Sequence, residues 1–333
     1  MEALTMKKHL VTAAMVVMVV LGIHFVAAAA DYPNKPIRIV CPYAPGGSLD
    51  AVSRAFAAAA EKYLGQVLVV VNKPGALGMI GEIEGSRAKP DGYTITTRAT
   101  SSASTMEWEK INGRNPGYTL DDFVNLGTFT MDPTLVVVPS NSPWNSLDDL
   151  LKACKAKPNF YAFGSGSLGT WLPGAVLMKT AGIKGRHVPF NGGGPLITAL
   201  VGGHVDFSGQ WPATCIPLIQ GKKLKVLAVQ GNRRLKAIPD IPTLKELGIQ
   251  GAEWEQWIGF SFPNKTPQEI VDKLRDTVEK VSKDKSFINT LETAGTEVVF
   301  MDGPSMTKRI LQETDRFAKL FKELIETGDL KKD

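Results

Sequence analysis

The chain has 333 residues, of which 44% are hydrophobic, and its 38 basic residues against 33 acidic ones give a net charge of +5. These values exclude a disordered tail, a collagen-like chain and a disulfide-rich miniprotein, because apolar residues are plentiful, glycine has no three-residue period and there are only 3 cysteines. A chain of this length exceeds the size at which one core usually stops growing, so two domains are expected.

The first 30 residues have the order that is typical of a secretory signal peptide. A cationic start at Lys7 and Lys8 precedes a 17-residue apolar run over 10–26, and an alanine string then leads to Asp31. A membrane anchor needs about 20 apolar residues, whereas this run is shorter and contains Gly22 and His24. We therefore expect cleavage after residue 30, which leaves a soluble, exported chain of 303 residues (333 minus 30).

Short β-branched runs then alternate with longer helical stretches. In chain order, the pattern predicts a strand at 37–43, a helix at 49–63, strands at 67–72, 93–100 and 134–140, a helix at 146–155, a strand within 160–167, a helix at 171–180, a strand at 187–190, a helix at 195–201, a strand at 205–207, a helix at 212–220, a strand at 225–230, a helix at 267–284, a strand at 296–301 and a helix at 304–327. This alternation indicates an α/β protein with mostly parallel sheets, in which sites gather at the carboxyl ends of strands beside helix N-termini.

The segment PYAPGGSLD, residues 42–50, joins the first strand to the first helix. Adjacent Gly46 and Gly47 allow a tight turn, and the unpaired amides of the first helical turn, together with the helix dipole, are suited to an anion. The alternative is that Ser48 or Asp50 merely caps the helix and the glycines merely turn the chain.

A second glycine loop, GSGSLG at 164–169, matches the G-x-G-x-x-G pattern between a strand and a helix. A dinucleotide site needs an acidic residue about 20 positions further on, and residues 183–191 contain none. We interpret this segment as a second anion-binding loop, one for each domain, and expect no cofactor.

The supply of catalytic residues is poor. Beyond residue 30 the chain has two histidines, His187 and His204, and neither lies in a zinc-binding pattern, so no metal is expected and both are interpreted as surface or turn residues. There is no G-x-S-x-G elbow of a hydrolase, and no basic cluster interleaved with aromatics that would indicate nucleic-acid binding. Most tryptophans are expected in the core, but Trp171 follows the second loop directly and is placed to line a pocket.

The three cysteines are an odd number for an oxidising compartment. Cys41 is interpreted as a buried free thiol within an apolar strand. Pairing of Cys154 with Cys215 is left open, because sequence cannot place their Cα atoms at bridging distance.

Several segments, in this order, closely resemble the tripartite tricarboxylate transporter substrate-binding receptors, the Bug family of periplasmic proteins. They are YPNKPIRIVCPYAPGGSLD, VVNKPGALGMIGE, AKPDGYTI, the loop at 164–169, HVPFNGGGP, LVGGHVDF and IPDIPTLKELG, and the similarity extends over nearly all of 32–327. The combination of the first three segments is specific, whereas any one alone would be weak.

The resemblance implies a type II periplasmic binding fold, in which two lobes with mostly parallel sheets close about a hinge on a ligand cleft. Residues 31–130 and 250–333 would form lobe 1, and 131–249 lobe 2. It also implies a periplasmic receptor that is not an enzyme, that captures a small organic acid and that delivers it to integral-membrane permease subunits. A monomer is expected.

The resemblance further implies that backbone amides and ordered waters, rather than an arginine, hold the ligand carboxylate. Carried over by position, the site residues on lobe 1 are Tyr43, Ala44, Gly46, Gly47, Ser48, Asp50, Gly75, Ala76, Gly78, Thr100 and Ser101. Those on lobe 2 are Ser165, Gly166, Gly169, Thr170, Trp171, Asn191, Gly192 and Asp206.

This sequence departs from the family pattern at two places. Trp171-Leu172 stands where the family usually has a Ser/Thr followed by His-Leu, and Phe190-Asn191-Gly192 stands where many members have Tyr-Lys-Gly. The loss of polar and basic groups favours a ligand with an apolar or aromatic tail over a second carboxylate, with Trp171 covering that tail.

Two other classes of function stay open at this point. One is an exported enzyme that acts on a small carboxylate, with Asp50 or Asp206 as the general base. The other is a sensor subunit whose closed form docks on a signalling protein.

Overall fold

The computed structural model describes residues 32–328 and Leu330. The expected signal peptide lies outside the described residues. Within them, no helix is both long enough and apolar enough to cross a membrane.

The described chain forms two six-stranded sheets with helices packed on them. The strands are β1 (Ile37–Cys41), β2 (Leu68–Asn72), β3 (Thr94–Ala99), β4 (Phe123–Thr130), β5 (Asp132–Pro139), β6 (Ala162–Ser165), β7 (Arg186–Pro189), β8 (Phe207–Gln210), β9 (Leu224–Gln230), β10 (Glu255–Gln256), β11 (Ile258–Pro263) and β12 (Val298–Asp302). The helices are α1 (Ser48–Leu64), α2 (Met79–Ser86), α3 (Thr100–Ile111), α4 (Leu147–Ala156), α5 (Leu168–Ala181), α6 (Gly193–Val201), α7 (Pro212–Gln220), α8 (Gln268–Ser282), α9 (Lys285–Thr293) and α10 (Gly303–Glu326).

The first sheet has the order β12-β4-β11-β3-β1-β2, and the second has the order β10-β5-β8-β6-β7 with β9 paired to β5. The chain passes from the first sheet to the second between β4 and β5 and returns between β10 and β11, so two short segments join two lobes. The lobe boundaries expected from the sequence stay a prediction.

The expectation of mostly parallel sheets is wrong. Among the described residues, β1 pairs in parallel with β2 and β3, and β6 with β7 and β8, but the other six pairings are antiparallel. The reason is the double crossing, because β4, β5 and β11 run directly into or out of the linking segments without the helical crossover that a parallel pair requires.

Helix α10 lies on both lobes. The rings of Phe317 and Trp254 have centroids 5.9 Å apart, and those of Phe321 and Trp108 are 5.4 Å apart. The indole Nε1 of Trp257, in the returning segment, donates to the buried carboxylate of Glu313 at 2.7 Å. One apolar cluster therefore contains residues of both lobes and of the C-terminal helix.

All three cysteines are buried and free, so the Cys154–Cys215 bridge that the sequence left open does not form. Burial raises the pKa of Cys154 to about 11 and that of Cys41 to about 12. The thiols are therefore neutral and poorly reactive at pH 7.

Candidate ligand-binding site

A small pocket lies between the lobes where the N-termini of five described helices meet. These are α1, α3, α5, α6 and α7. The pocket has a volume of about 30 Å³, and its lining residues, none of which carries a charge, are Tyr43, Gly47, Ser48, Leu49, Ser101, Gly166, Ser167, Thr170, Gly193, Trp211, Thr214 and Gln256. Helix N-termini present unpaired amides and positive partial charge, so this convergence is suited to an anion although no basic side chain lines it. We call it the head pocket.

Asp50 fixes the loop that leads into α1. Its carboxylate accepts hydrogen bonds from the Gly46 amide at 3.0 Å, from Asn72 Nδ2 at 2.9 Å and from Arg54 Nε at 3.1 Å. Partial burial acts to raise the pKa of Asp50, but these bonds and the Arg54 charge lower it below its ordinary value. Because the N-cap residue Gly47 has no side chain to cap the helix, the first-turn amides remain directed at the head pocket.

The second loop is tied down by Thr170, whose Oγ1 accepts from the amides of Gly166 at 2.8 Å and Ser167 at 3.1 Å. These bonds fix the loop against α5 and leave the next amides, at the helix start, without a capping side chain. Thr170 was predicted to contact the ligand, and the structure shows in addition that it positions the loop before α5.

The two lobes touch beside the head pocket through residues that lack large side chains. A Cβ added to Gly194 would lie 2.4 Å from the carbonyl oxygen of Pro45, and one added to Gly193 would lie 3.4 Å from the Cα of Gly47. Gly192, with φ of 116°, faces Ala44 in the same way. The lobes are in contact at this edge, and at Gly194 their separation leaves no room for a Cβ.

The sequence did not indicate three of the residues that complete the head pocket. Gln256, in the returning segment, donates from Nε2 to Ser48 Oγ at 3.2 Å, and Trp211 and Thr214 lie at the start of α7. Trp211 is buried in the apolar core, as the sequence predicted for most tryptophans, and it also lines the pocket. The only available signal was its position directly after a strand and before a proline that can start a helix.

Apart from Asp206, the predicted site residues fall into four groups. Those that line the head pocket are Tyr43, Gly47, Ser48, Ser101, Gly166 and Thr170. Those that lie beside it, at the contact between lobes or in the loops that support it, are Ala44, Gly46, Asp50, Gly75, Ala76, Gly78, Thr100, Gly169 and Gly192. Ser165 and Trp171 line a second, larger cavity. Asn191 is exposed and lines neither space.

Asp206 is placed elsewhere than the sequence indicated. Its carboxylate accepts from the amide of Ala162 at 2.6 Å, at the beginning of β6, whereas Ser165 ends that strand at the cleft. A strand of this length separates the two ends by roughly 10 Å. Asp206 therefore anchors the far end of β6 and does not reach the head pocket.

A buried ion pair supports the site from behind. Arg98 Nε lies 3.2 Å from Glu82 Oε2, the Arg98 guanidinium stacks 4.2 Å from the Phe123 ring, and Ser102 at the start of α3 hydrogen-bonds to Glu82. Burial raises the pKa of Glu82 although Arg98 opposes the shift. The pair fixes the N-terminus of α3 beside the head pocket. Elsewhere in residues 32–328, no group of three or more histidine, cysteine or acidic side chains is placed to hold a metal ion.

Comparison with known proteins agrees with this geometry. Residues 52–325 match the family model described as the tripartite tricarboxylate transporter family receptor. The chain belongs to this receptor family. It is 34% identical over 278 residues to the "UPF0065 protein in gbd 5'region" of Cupriavidus necator, with 83% of each chain covered.

Solved structures show the same relationship. The periplasmic binding protein BugD is 29% identical, with a TM-score of 0.82 and coverage of 88% of this chain and 98% of that one. An R. palustris protein solved with adipate is 26% identical, with a TM-score of 0.80 and coverage of 88% and 98%. The two-lobed α/β fold of periplasmic binding proteins and the family predicted from the sequence are therefore confirmed.

Proposed function

We propose that this receptor captures a small organic acid in the cleft between its lobes, in the periplasm, and presents the closed form to the permease subunits of a tripartite tricarboxylate transporter. The observation that carries the proposal is the head pocket. Five helix N-termini and uncharged side chains surround a space of about 30 Å³, which is large enough for a few bonded atoms such as a carboxylate group.

The closed cleft explains how binding would be reported to a permease. The ligand carboxylate would touch α1 and α3 on one lobe and α5, α6 and α7 on the other, so it binds the closed arrangement better than a separated one. A ligand shifts a conformational equilibrium by its difference in affinity for the two states. Contacts from both lobes supply that difference.

The rival function, an exported enzyme with a general base, is disfavoured at both candidate residues. Asp50 accepts bonds from Gly46, Asn72 and Arg54, which lower its pKa and oppose proton uptake. Asp206 lies at the far end of β6. A protein of this kind is expected to return its ligand chemically unchanged, and a turnover that falls in Asp50→Ala would favour the enzyme.

The proposal is tested by calorimetry on the exported form, with pairs of acids and their primary amides as ligands. We expect at least one carboxylate to bind and to raise the unfolding temperature by mass action, and its amide to bind at least about tenfold more weakly. Thr170→Val should weaken binding of the acid, because the amides of residues 166 and 167 lose their hydrogen-bond acceptor. Thr293→Val on α9 is the control: it removes a hydroxyl hydrogen bond within a helix and should leave the affinity unchanged. Equal affinity for acids and amides would contradict the proposal.

A further inference from the structure

A second cavity adjoins the head pocket on the other side of Ser167, which lines both. Its volume is about 530 Å³, against about 30 Å³ for the head pocket. A ligand whose carboxylate fills the head pocket therefore has no room there for the rest of its atoms. The neighbouring space shares Ser167 with it and is lined by residues of the same two lobes. We call it the tail cavity.

The walls of the tail cavity are apolar and largely aromatic. Trp108 and Leu77 come from one lobe, and Leu168, Trp171 and Phe190 from the other. Trp108 is 5% and Trp171 is 9% exposed, so both rings are fixed by packing and present an edge or face to the cavity. Such walls favour an apolar or aromatic group by removing its surface from water.

Leu77, which forms part of the apolar wall, has a backbone conformation that is unfavourable for its residue type. Its φ is +56° and that of Ala76 is +46°, two successive left-handed residues that are not glycine. Such a conformation is unfavourable for a branched side chain. Leu77 nevertheless is 38% exposed and directed into the tail cavity, while its carbonyl oxygen accepts hydrogen bonds from Tyr43 at 3.0 Å and Thr105 at 3.2 Å.

The polar groups of the tail cavity are neutral. Ser165 Oγ and His187 Nε2 lie 2.7 Å apart and share a hydrogen bond, which satisfies both. Burial lowers the pKa of His187, so the ring carries no charge at pH 7. A second carboxylate placed there would find no counter-charge among the lining residues.

We propose, on the basis of the proposed function, that the ligand is a monocarboxylate with a bulky apolar substituent, of the size of a phenyl ring, which occupies the tail cavity while its carboxylate occupies the head pocket. Leu77 and Phe190 select that substituent from opposite lobes. A dicarboxylate or tricarboxylate is selected against, because its second charge would lie among Trp108, Trp171 and the neutral Ser165–His187 pair.

The test is calorimetry with four probes: propionate, 3-phenylpropionate, succinate and citrate. We expect 3-phenylpropionate to bind at least about tenfold more tightly than propionate, which corresponds to about 1.4 kcal/mol, and more tightly than succinate or citrate. Leu77→Asn keeps a residue that tolerates the left-handed backbone, and Phe190→Ala removes a half-buried ring. Each should weaken 3-phenylpropionate at least about fivefold and change propionate less than about twofold.

Phe160→Ala is the matched control, because this phenylalanine is 62% exposed and lies outside the cavity. It should change neither affinity. If propionate binds as tightly as 3-phenylpropionate, if succinate or citrate is preferred, or if both cavity variants bind 3-phenylpropionate as the parent does, the tail cavity is not the selecting site, although the carboxylate receptor stands. If none of the four acids binds, this inference fails, while the proposed function is decided separately by the comparison of acids with their amides.

Discussion

Replacing Gly194 by alanine tests whether contact between the lobes limits closure. Gly194 lies in the first turn of α6, and its φ is not in the left-handed region, so alanine fits the backbone itself. The added Cβ, however, would lie 2.4 Å from the Pro45 carbonyl oxygen on the other lobe. Within its own lobe the change favours the helix by up to about 1 kcal/mol.

The expected loss follows from that distance. An ordinary contact begins near 3.4 Å, so the lobes must separate by about 1.0 Å at this edge, which is the difference between 3.4 and 2.4 Å. Overpacking of a close contact costs about 1–3 kcal/mol. If that cost falls on the closed state alone, the dissociation constant for the best carboxylate should rise about 5- to 150-fold.

The assay is calorimetry with that carboxylate, together with thermal unfolding in its absence. We expect weaker binding with an unfolding temperature that is unchanged or slightly raised, a combination that simple misfolding cannot give. Thr198→Ala is the control, because Thr198 lies at an exposed position of the same helix and alanine raises helix propensity there too. The Thr198 hydroxyl donates within its own helix, to the Gly194 carbonyl oxygen at 3.2 Å. An affinity within about twofold of the parent would refute contact-limited closure.

Three further predictions concern stability. Burial raises the pKa of Asp132 to about 8, whereas an aspartate in the unfolded chain has a pKa near 3.9. Between about pH 4 and 8 the folded protein therefore holds a proton that the unfolded chain has released. The free energy of unfolding should fall by up to about 1.4 kcal/mol per pH unit over this range. Asp132→Asn should remove that slope from thermal unfolding measured across pH, and an unchanged slope would contradict the assignment. Arg98→Met should lower the free energy of unfolding by about 3–5 kcal/mol, because it leaves the buried Glu82 carboxylate without its ion-pair partner. Adding Glu82→Gln should recover part of that loss. Strictly additive losses in urea unfolding would argue against an energetic coupling of Arg98 and Glu82. Leu274 is fully buried, and Leu274→Ala should lower the free energy of unfolding by about 2–5 kcal/mol in the same assay. Leu311 is 55% exposed, and Leu311→Ala should lower it by less than about 0.5 kcal/mol.

The fold was predictable where burial is one-sided. Helices α8 and α10 each bury one face, and the predicted bounds, 267–284 and 304–327, differ from the observed ones by one or two residues. Ser146 caps α4 as expected, accepting from the Asp149 amide at 3.2 Å. Helix α3 was not predicted, because residues 100–109 are buried on every side and show no alternation of polar and apolar positions.

The site was predictable in part, for a related reason. Glycines after a strand mark the loops of α1 and α5, since few other residues allow the close approach of backbone. Gln256 and Trp211 carry no such glycine mark, and Gln256 reaches the cleft through the double crossing. Leu77 lies between Gly75 and Gly78 in the glycine loop after β2, but nothing in the sequence singled out its own side chain. Asp206 was misplaced because sequence does not tell which end of a short strand faces the cleft.

The helix α10 that joins the lobes also sets an order of events during folding. The rings of Trp108 and Phe321 pack together although the two residues lie more than 200 positions apart in the chain. Contacts this far apart in the chain form slowly, so the joint core is expected to be the last part to close. Until α10 packs, the residues of both lobes that belong to this apolar cluster would stay exposed to water.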